Sequence, residues 1–213
     1  MDTLSEADPD SNRKVRTHLR DVAIAEFGKH GFEIDLEAIA TAAGIGLDLA
    51  VYLAGSAREL RQVCDDHVLE SVRSAKSEAL QSMSPDIWFR QLAAIDDYAP
   101  MMNYLVRSML AGGKPGRTLM HRMIENADTY LQDAVTMGSV LPSRDPEGRA
   151  RLLALNNAGG FLMYLHMHET PYDMAAVLRD YERDMILPAL ELYTFGLLNG
   201  TAMYEAFLER NER

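Results

Sequence analysis

The stretch from Ile34 to Glu59, IDLEAIATAAGIGLDLAVYLAGSARE, constrains the fold more than any other part of the chain. Asp35 is placed to cap a short helix, Glu37 suits the positive end of its dipole, and Ile34 can staple onto Ile39. Leu36, Ile39, Ala40 and Ala43 then share one face. Gly44 stands where a left-handed residue ends a helix, and a second short apolar helix follows almost at once. Two helices so joined meet at a steep angle, as in a helix-turn-helix. Ala40 is small where they cross, and Ile45, Ala50 and Leu53 can plug the second helix onto the first.

The remaining chain, 213 residues in all and 47% hydrophobic, is ample for a packed core. A single cysteine, Cys64, excludes an internal disulfide, and no charged leader or long uncharged run is visible, so a cytoplasmic protein without a membrane span is expected. The net charge of −11 argues against a protein that coats nucleic acid nonspecifically. It leaves room for a small DNA-reading head on an acidic body, where the field near the groove decides.

Residues 1–10 are acidic and turn-rich and predict a mobile tail. Arg13, Lys14, Arg16 and Arg20 then enter a helix on which Val15, Leu19, Val22, Ala23 and Phe27 recur, ending near Gly31. That basic cluster is either a solvated helix start or a contact to DNA phosphates. Ser56 and Glu59 form a capping box for a long helix carrying Leu60, Val63, Cys64, His67, Val68 and Val72 along one face. On that stripe His67 reads as a buried, hydrogen-bonded histidine before a ligand or switch, and Cys64 as a small core residue.

From Ser84 onward the pattern is helical throughout. Ser84-Pro85 starts one helix, the next carries Met101 to Met109, the loop AGGKPG breaks it, and a further helix runs from about Thr118 to Gly138. The glycine-rich loop is no phosphate loop, because Pro115 follows Lys114 where a hydroxyl is needed. Asp145-Pro146 opens the next helix, and Thr170-Pro171 with Asp173 the last long one. These two are apolar on more than one face, which predicts burial against a partner, with Ala154, Ala158, Gly159 and Gly160 allowing close approach. Pro188 predicts a kink or break, and a tail with Tyr204, Phe207 and Leu208 is expected to fold back onto the body. No strand pattern survives, so the fold class is all-α.

This arrangement resembles the TetR family of bacterial transcriptional regulators. The resemblance rests on RTHLRDVAIAEFGKHGF (Arg16 to Phe32), on Ile39-Ala40 and Ala43-Gly44-Ile45, and on Ser56, Arg58, Glu59 and Leu60. The chain departs from the family's pattern in the recognition helix, where GLDLAVYLAG has no basic residue and carries Asp48. The resemblance implies a three-helix DNA-binding head over 11–55, a ligand-binding and dimerisation domain over 56–213, and a homodimeric repressor on double-stranded operator DNA. Leu47, Asp48, Val51 and Tyr52 are the candidates for bases or phosphates, and Arg13, Lys14, Arg16 and Thr41 for the DNA backbone. The last two long helices would form the dimer, with Ala154, Ala158, Gly159, Leu162, Met185 and Leu192 at the seam.

Methionine fills irregular spaces, so a pocket for a small apolar or cationic-amphipathic ligand is expected among Trp88, Met101, Met102, Tyr104, Met109, Met120, Met123, Tyr130, Phe161 and Tyr164. Each of these is also an ordinary core residue by pattern. Glu125 and Asp128 suit a cationic compound or are simply solvated. Control of efflux or catabolic genes is the expected role. The alternative is an acidic dimeric binding protein with degenerate DNA recognition, which Asp48 motivates. An enzyme is not expected: no nucleophile motif is present, and His166 and His168, two apart on a helix, cannot readily share a metal. No cofactor is implied.

Overall fold

A computed structural model describes residues 9–82 and 84–211, and within them the chain is helical with no strand. The expected tail lies outside the described residues up to residue 8, while Pro9 and Asp10 already belong to the first helix, α1 (Pro9–His30). α1 buries Leu19, Ala23, Ile24 and Phe27 at helical spacing. Among the described residues no single helix is long and apolar enough to cross a membrane.

The helix-turn-helix forms through local chemistry. Asp35 accepts the Ala38 N–H at 2.8 Å and starts α2 (Leu36–Ala42). The helix ends as the Ile45 N–H donates to the Ala40 carbonyl and the Gly44 N–H to that of Thr41, both at 3.0 Å. That pairing needs a left-handed residue between, and Gly44 supplies it at φ +68°. The chain turns through 110° into α3 (Leu47–Ala54), with Ala40, Ala50 and Leu53 buried at the crossing.

α4 (Ala57–Ser82) opens on Ser56, whose hydroxyl accepts the Glu59 N–H at 3.2 Å and donates to the Glu59 carboxylate at 2.7 Å. Leu60, Cys64, Val68 and Leu69 are buried, whereas Val63, expected on the same stripe, is 48% exposed. Steps of four residues carry the buried stripe, and Val63 falls one position off it. His67 is half-buried, with burial and then Arg20 pushing its pKa below the ordinary value.

The body comprises α5 (Pro85–Ala93), a 3-10 turn at Ile95–Tyr98, α6 (Ala99–Ala111), α7 (Gly113–Thr136), α8 (Pro146–Met167), α9 (Met174–Phe195) and α10 (Ala202–Asn211). Two expectations are corrected and two are narrowed. The loop AGGKPG shrinks to Gly112, because α7 begins at Gly113, five residues before Thr118, and a proline in a first turn has no N–H to lose. Thr170-Pro171 is a turn, and Asp173 alone caps α9 by accepting the Ala176 N–H at 3.0 Å. α9 runs through Pro188 as one continuous helix, so of the expected kink or break the break does not occur. α10 joins none of the three buried clusters described below: Tyr204 and Phe207 stay 53% and 56% exposed, and Leu208 alone is half-buried.

One core cluster unites α1, α2, α3 and the first half of α4 with Tyr104 and Leu105 of α6 and Leu119 of α7, so packing is continuous across the expected boundary at residue 55. Close approach of α1 and α6 requires Gly28, where a β-carbon would lie 3.0 Å from both Asn103 Cβ and the Tyr104 nitrogen. Two smaller clusters, around Phe161 with Val177 and around Leu131 with Ala150, complete the body.

Candidate nucleic-acid interface and ligand cavity

α3 buries Ala50 and Leu53, which turns the opposite side of this eight-residue helix to solvent. There stand Tyr52 at 69% exposure, Val51 at 48%, Leu47 at 41% and Leu49 at 38%, with Asp48 exposed between them. The four residues expected from sequence to read DNA therefore share one surface. Leu49 joins them; its spacing to Leu53 disguises it as a core residue.

The flanking cations are less uniform than their sequence suggests. Lys14 and Arg16 are exposed and make no ion pair among the described residues, whereas Arg13 is bound to Asp10 at 2.7 Å. Thr41 is exposed, but its hydroxyl donates to the Glu37 carbonyl at 2.9 Å and would have to turn to reach a phosphate. His18 Nε2 lies 3.1 Å from the Ala43 carbonyl and ties α1 to the end of α2, which places Lys14, one turn earlier, along the same edge. Arg58 is not among the sequence candidates for DNA contact, yet it is exposed in the first turn of α4, directly after α3.

Behind the head, α6 grips α1. The Tyr104 hydroxyl donates to Asp65 Oδ1 at 2.6 Å, and the Arg107 guanidinium donates to the Gly28 and Lys29 carbonyls, each at 3.1 Å, satisfying the end of α1. The Arg61 guanidinium lies 3.5 Å from the Phe32 ring centroid, and Phe27, Phe32 and Tyr104 stack edge to face or tilted around it. Burial lifts the Asp65 carboxyl above its ordinary range, against the pull of the Tyr104 hydrogen bond and of Arg61 and Arg122. Burial likewise pushes the Cys64 thiol up to about 12.

Between α7 and α8 lies a cavity of about 810 Å³ that is open to solvent on one side, where Leu155, Gly159, His121 and Glu125 are exposed. Met109, Met120, Ile124, Leu155, Ala158 and Leu162 give it an apolar wall; Arg117, Glu125, Asp128, Glu147 and Arg151 give it a charged one, with the His121 imidazole among them. Asp128 Oδ1 is buried with no hydrogen-bond partner. A crevice of about 80 Å³ adjoins it, lined by Met123, Tyr130, Ala154 and Ala158 among others.

Of the ten residues expected to line a pocket, the structure brings only Met109 and Met120 to the cavity and Met123 and Tyr130 to the crevice. Tyr104 is fully buried against the head, with Met101 and Met102 packed beside the same core. Trp88 clasps α5 to α4, its indole donating to the Ala79 carbonyl at 3.0 Å. Phe161 and Tyr164 pack on Tyr181 at 5.1 and 5.2 Å between ring centroids. Of the polar wall, Glu125 and Asp128 are the two that the sequence offers to a cationic compound; Arg117, His121, Glu147 and Arg151 escape an expectation that follows apolar residues, although Arg117, His121, Ile124 and Asp128 recur at helical spacing.

The dimer candidates also divide. Ala158, Gly159 and Leu162 border the cavity and Ala154 the crevice, while Met185 and Leu192 are exposed on α9 at 38% and 47%. Leu152, Leu155 and Met163 are exposed on α8 at 57%, 49% and 61%, at spacings that place them on one stripe with Gly159. His168 Nε2 is bound to Asp180 at 3.0 Å, and His166 is exposed.

A family model described as the tetracyclin repressor-like C-terminal domain matches residues 96–199. The chain is 54% identical over 194 residues to the HTH-type transcriptional regulatory protein RaaS of Mycobacterium tuberculosis, covering 91% of this chain and 92% of that protein. Its fold is similar to that of the SmeT–triclosan complex, at 18% identity and TM-score 0.50 over 80% of this chain and 90% of that one. The TetR family regulator PfmR from Thermus thermophilus aligns at 19% identity and TM-score 0.49, over 87% and 98% of the two chains.

Proposed function

The chain belongs to the TetR family of transcriptional regulators, which are not enzymes, and from that premise we propose that it is a ligand-responsive repressor whose dimer sets two α3 helices into successive major grooves of a palindromic operator. The observation that carries this reading is the capped helix-turn-helix, bent through 110°, with the outer face of α3 unpartnered in a chain so similar to a helix-turn-helix regulator. Half-sites about 34 Å apart follow from groove geometry. Lys14, Arg16 and Arg58 are the phosphate contacts on this reading, with Arg13 and Thr41 available once their own partners release them. A site of action beside the chromosome, in the cytoplasm, goes with it.

The cavity between α7 and α8 is the sensor. Its volume suits a compound of drug size, its methionines adapt to varied shapes, and Glu125, Asp128 and Glu147 on its wall suit a cationic-amphipathic ligand. Control of efflux genes is the role we favour for such a sensor. A β-carbon at Gly116 would lie 2.7 Å from the Ser108 carbonyl oxygen, so α7 rests directly on α6. A ligand that displaces α7 moves α6, and Tyr104 and Arg107 pass the shift to α1. The ligand works by its differential affinity for the two head spacings. On this reading α6 carries the signal together with α4, which the same core cluster joins to the head. The dimer forms through the outer face of α9 and the exposed stripe of α8, whose Leu155 and Gly159 also line the open side of the cavity.

One observation favours a second reading, an acidic ligand-binding dimer without operator recognition: α3 has no basic residue and carries Asp48. Mobility shift with fragments from upstream of the protein's own gene, at low and moderate salt, decides between them. A specific shift that the Tyr52→Ala variant weakens, with its dimer intact, is the expected outcome; no specific shift at either salt would establish the second reading.

A further inference from the structure

The composition of the outward face of α3 narrows what it can read. It presents Leu47, Leu49, Val51 and Tyr52 around Asp48, and no lysine, arginine, asparagine or glutamine anywhere in the helix. The side chains that commonly grip guanine O6 and N7, or adenine N6 and N7, with two hydrogen bonds are therefore absent. Base edges in the major groove offer one apolar group only, the C5-methyl of thymine.

We propose that this helix selects its operator through thymine methyl groups, with Leu47 and Val51 packing against them and Asp48 accepting from a cytosine N4 amino group. The proposal rests on the reading of α3 as the recognition helix and assigns that helix its chemistry. Leu47 and Val51 lie one turn apart on the same side, about 5–6 Å between β-carbons, a separation between one and two base steps of about 3.4 Å. Asp48 sits between them and Tyr52 on the outermost line of the helix, where a carboxylate is tolerated beside DNA only opposite an amino hydrogen. Tyr52, the most exposed of the group, reaches furthest toward the groove wall. Phosphate attraction comes from outside α3, from Lys14, Arg16 and Arg58, so the base-reading surface adds no counterion release of its own.

The test uses the full-length protein. Duplexes that bind it are selected from a random-sequence pool, and the selected site is resynthesised with deoxyuridine replacing thymine, which keeps every base pair and deletes only methyl groups. The expected result is a site rich in thymine at the positions facing α3, losing affinity about fourfold for each contacted methyl removed. In the Leu47→Ala and Val51→Ala variants, checked for unchanged helix content and melting, the gap between thymine and uracil duplexes should close. A selected duplex that binds equally well with uracil, or a gap that persists in both variants, overturns this inference while leaving the repressor reading intact. A pool from which nothing is enriched overturns both.

Discussion

At the scale of single residues, the pair of Tyr104 and Asp65 decides how firmly the head is held. The Tyr104 ring is wholly buried, and its hydroxyl donates to a carboxylate that burial has already made costly to ionise. Tyr104→Phe leaves that carboxylate without its donor and should lower stability by about 1–3 kcal/mol in urea unfolding. Asp65→Asn should behave differently, because an amide oxygen still accepts from the tyrosine. The folded carboxyl titrates above the unfolded one, so the wild type is most stable relative to Asp65→Asn in acid and loses ground as pH rises through that titration. Melting both proteins from pH 4 to 8 checks the sign: a difference that grows in the wild type's favour with rising pH would contradict the burial argument. Nothing in the sequence around Tyr104 announces this role. It sits among methionines at helical spacing and looks like pocket lining, and its partner lies 39 residues away in another helix.

Elements differ in how far local chemistry fixes them. The helix-turn-helix is legible in the sequence because the devices that build it are short-range: the Asp35 cap, the left-handed Gly44 and the Ser56 box each act within five residues, and the small Ala40 meets α3 little more than ten residues on. The start of α7 is not, since a Gly-Gly-Lys-Pro-Gly run has the composition of a loop and yet is compatible with a first helical turn. The cavity is hidden for a further reason. Which face of α7 meets α8 is settled by packing across the body, and residues expected in one pocket are dispersed over two clusters, a crevice and the head. Contact between α1 and α6 is the element-scale feature most open to test. Gly28→Ala places a methyl 3.0 Å from the Asn103 β-carbon and the Tyr104 nitrogen, neither of which can rotate away. The variant should lose about 1–3 kcal/mol in chemical denaturation, as overpacked cores do. If α6 carries the signal, it should also release operator at a different ligand concentration; an unchanged release curve in a folded variant would assign transmission to α4 alone.

For the whole molecule, the question is what two acidic bodies gain by pairing. A chain of net charge −11 is repelled by DNA at a distance, and α3 offers no cation to offset this, so one head alone binds weakly. Linking two heads makes the second engagement intramolecular, and avidity gains of order 10²–10⁴ are typical when the spacing fits. Repression thus depends on the dimer more heavily here than in a protein with a basic reading helix. In a twofold interface each substitution appears twice, so one carboxylate introduced near the axis meets its own image. Leu192→Asp, on the exposed face of α9 at 47%, should therefore yield a folded monomer by sedimentation, with operator affinity reduced by that same two to four decades. Melting of the variant separates this from simple unfolding, because Leu192 lies outside the three buried clusters that hold each protomer together. A variant that stays dimeric and binds normally would move the seam off α9. The apolar stripe of Leu152, Leu155 and Met163 on α8 would then be the surface to charge next.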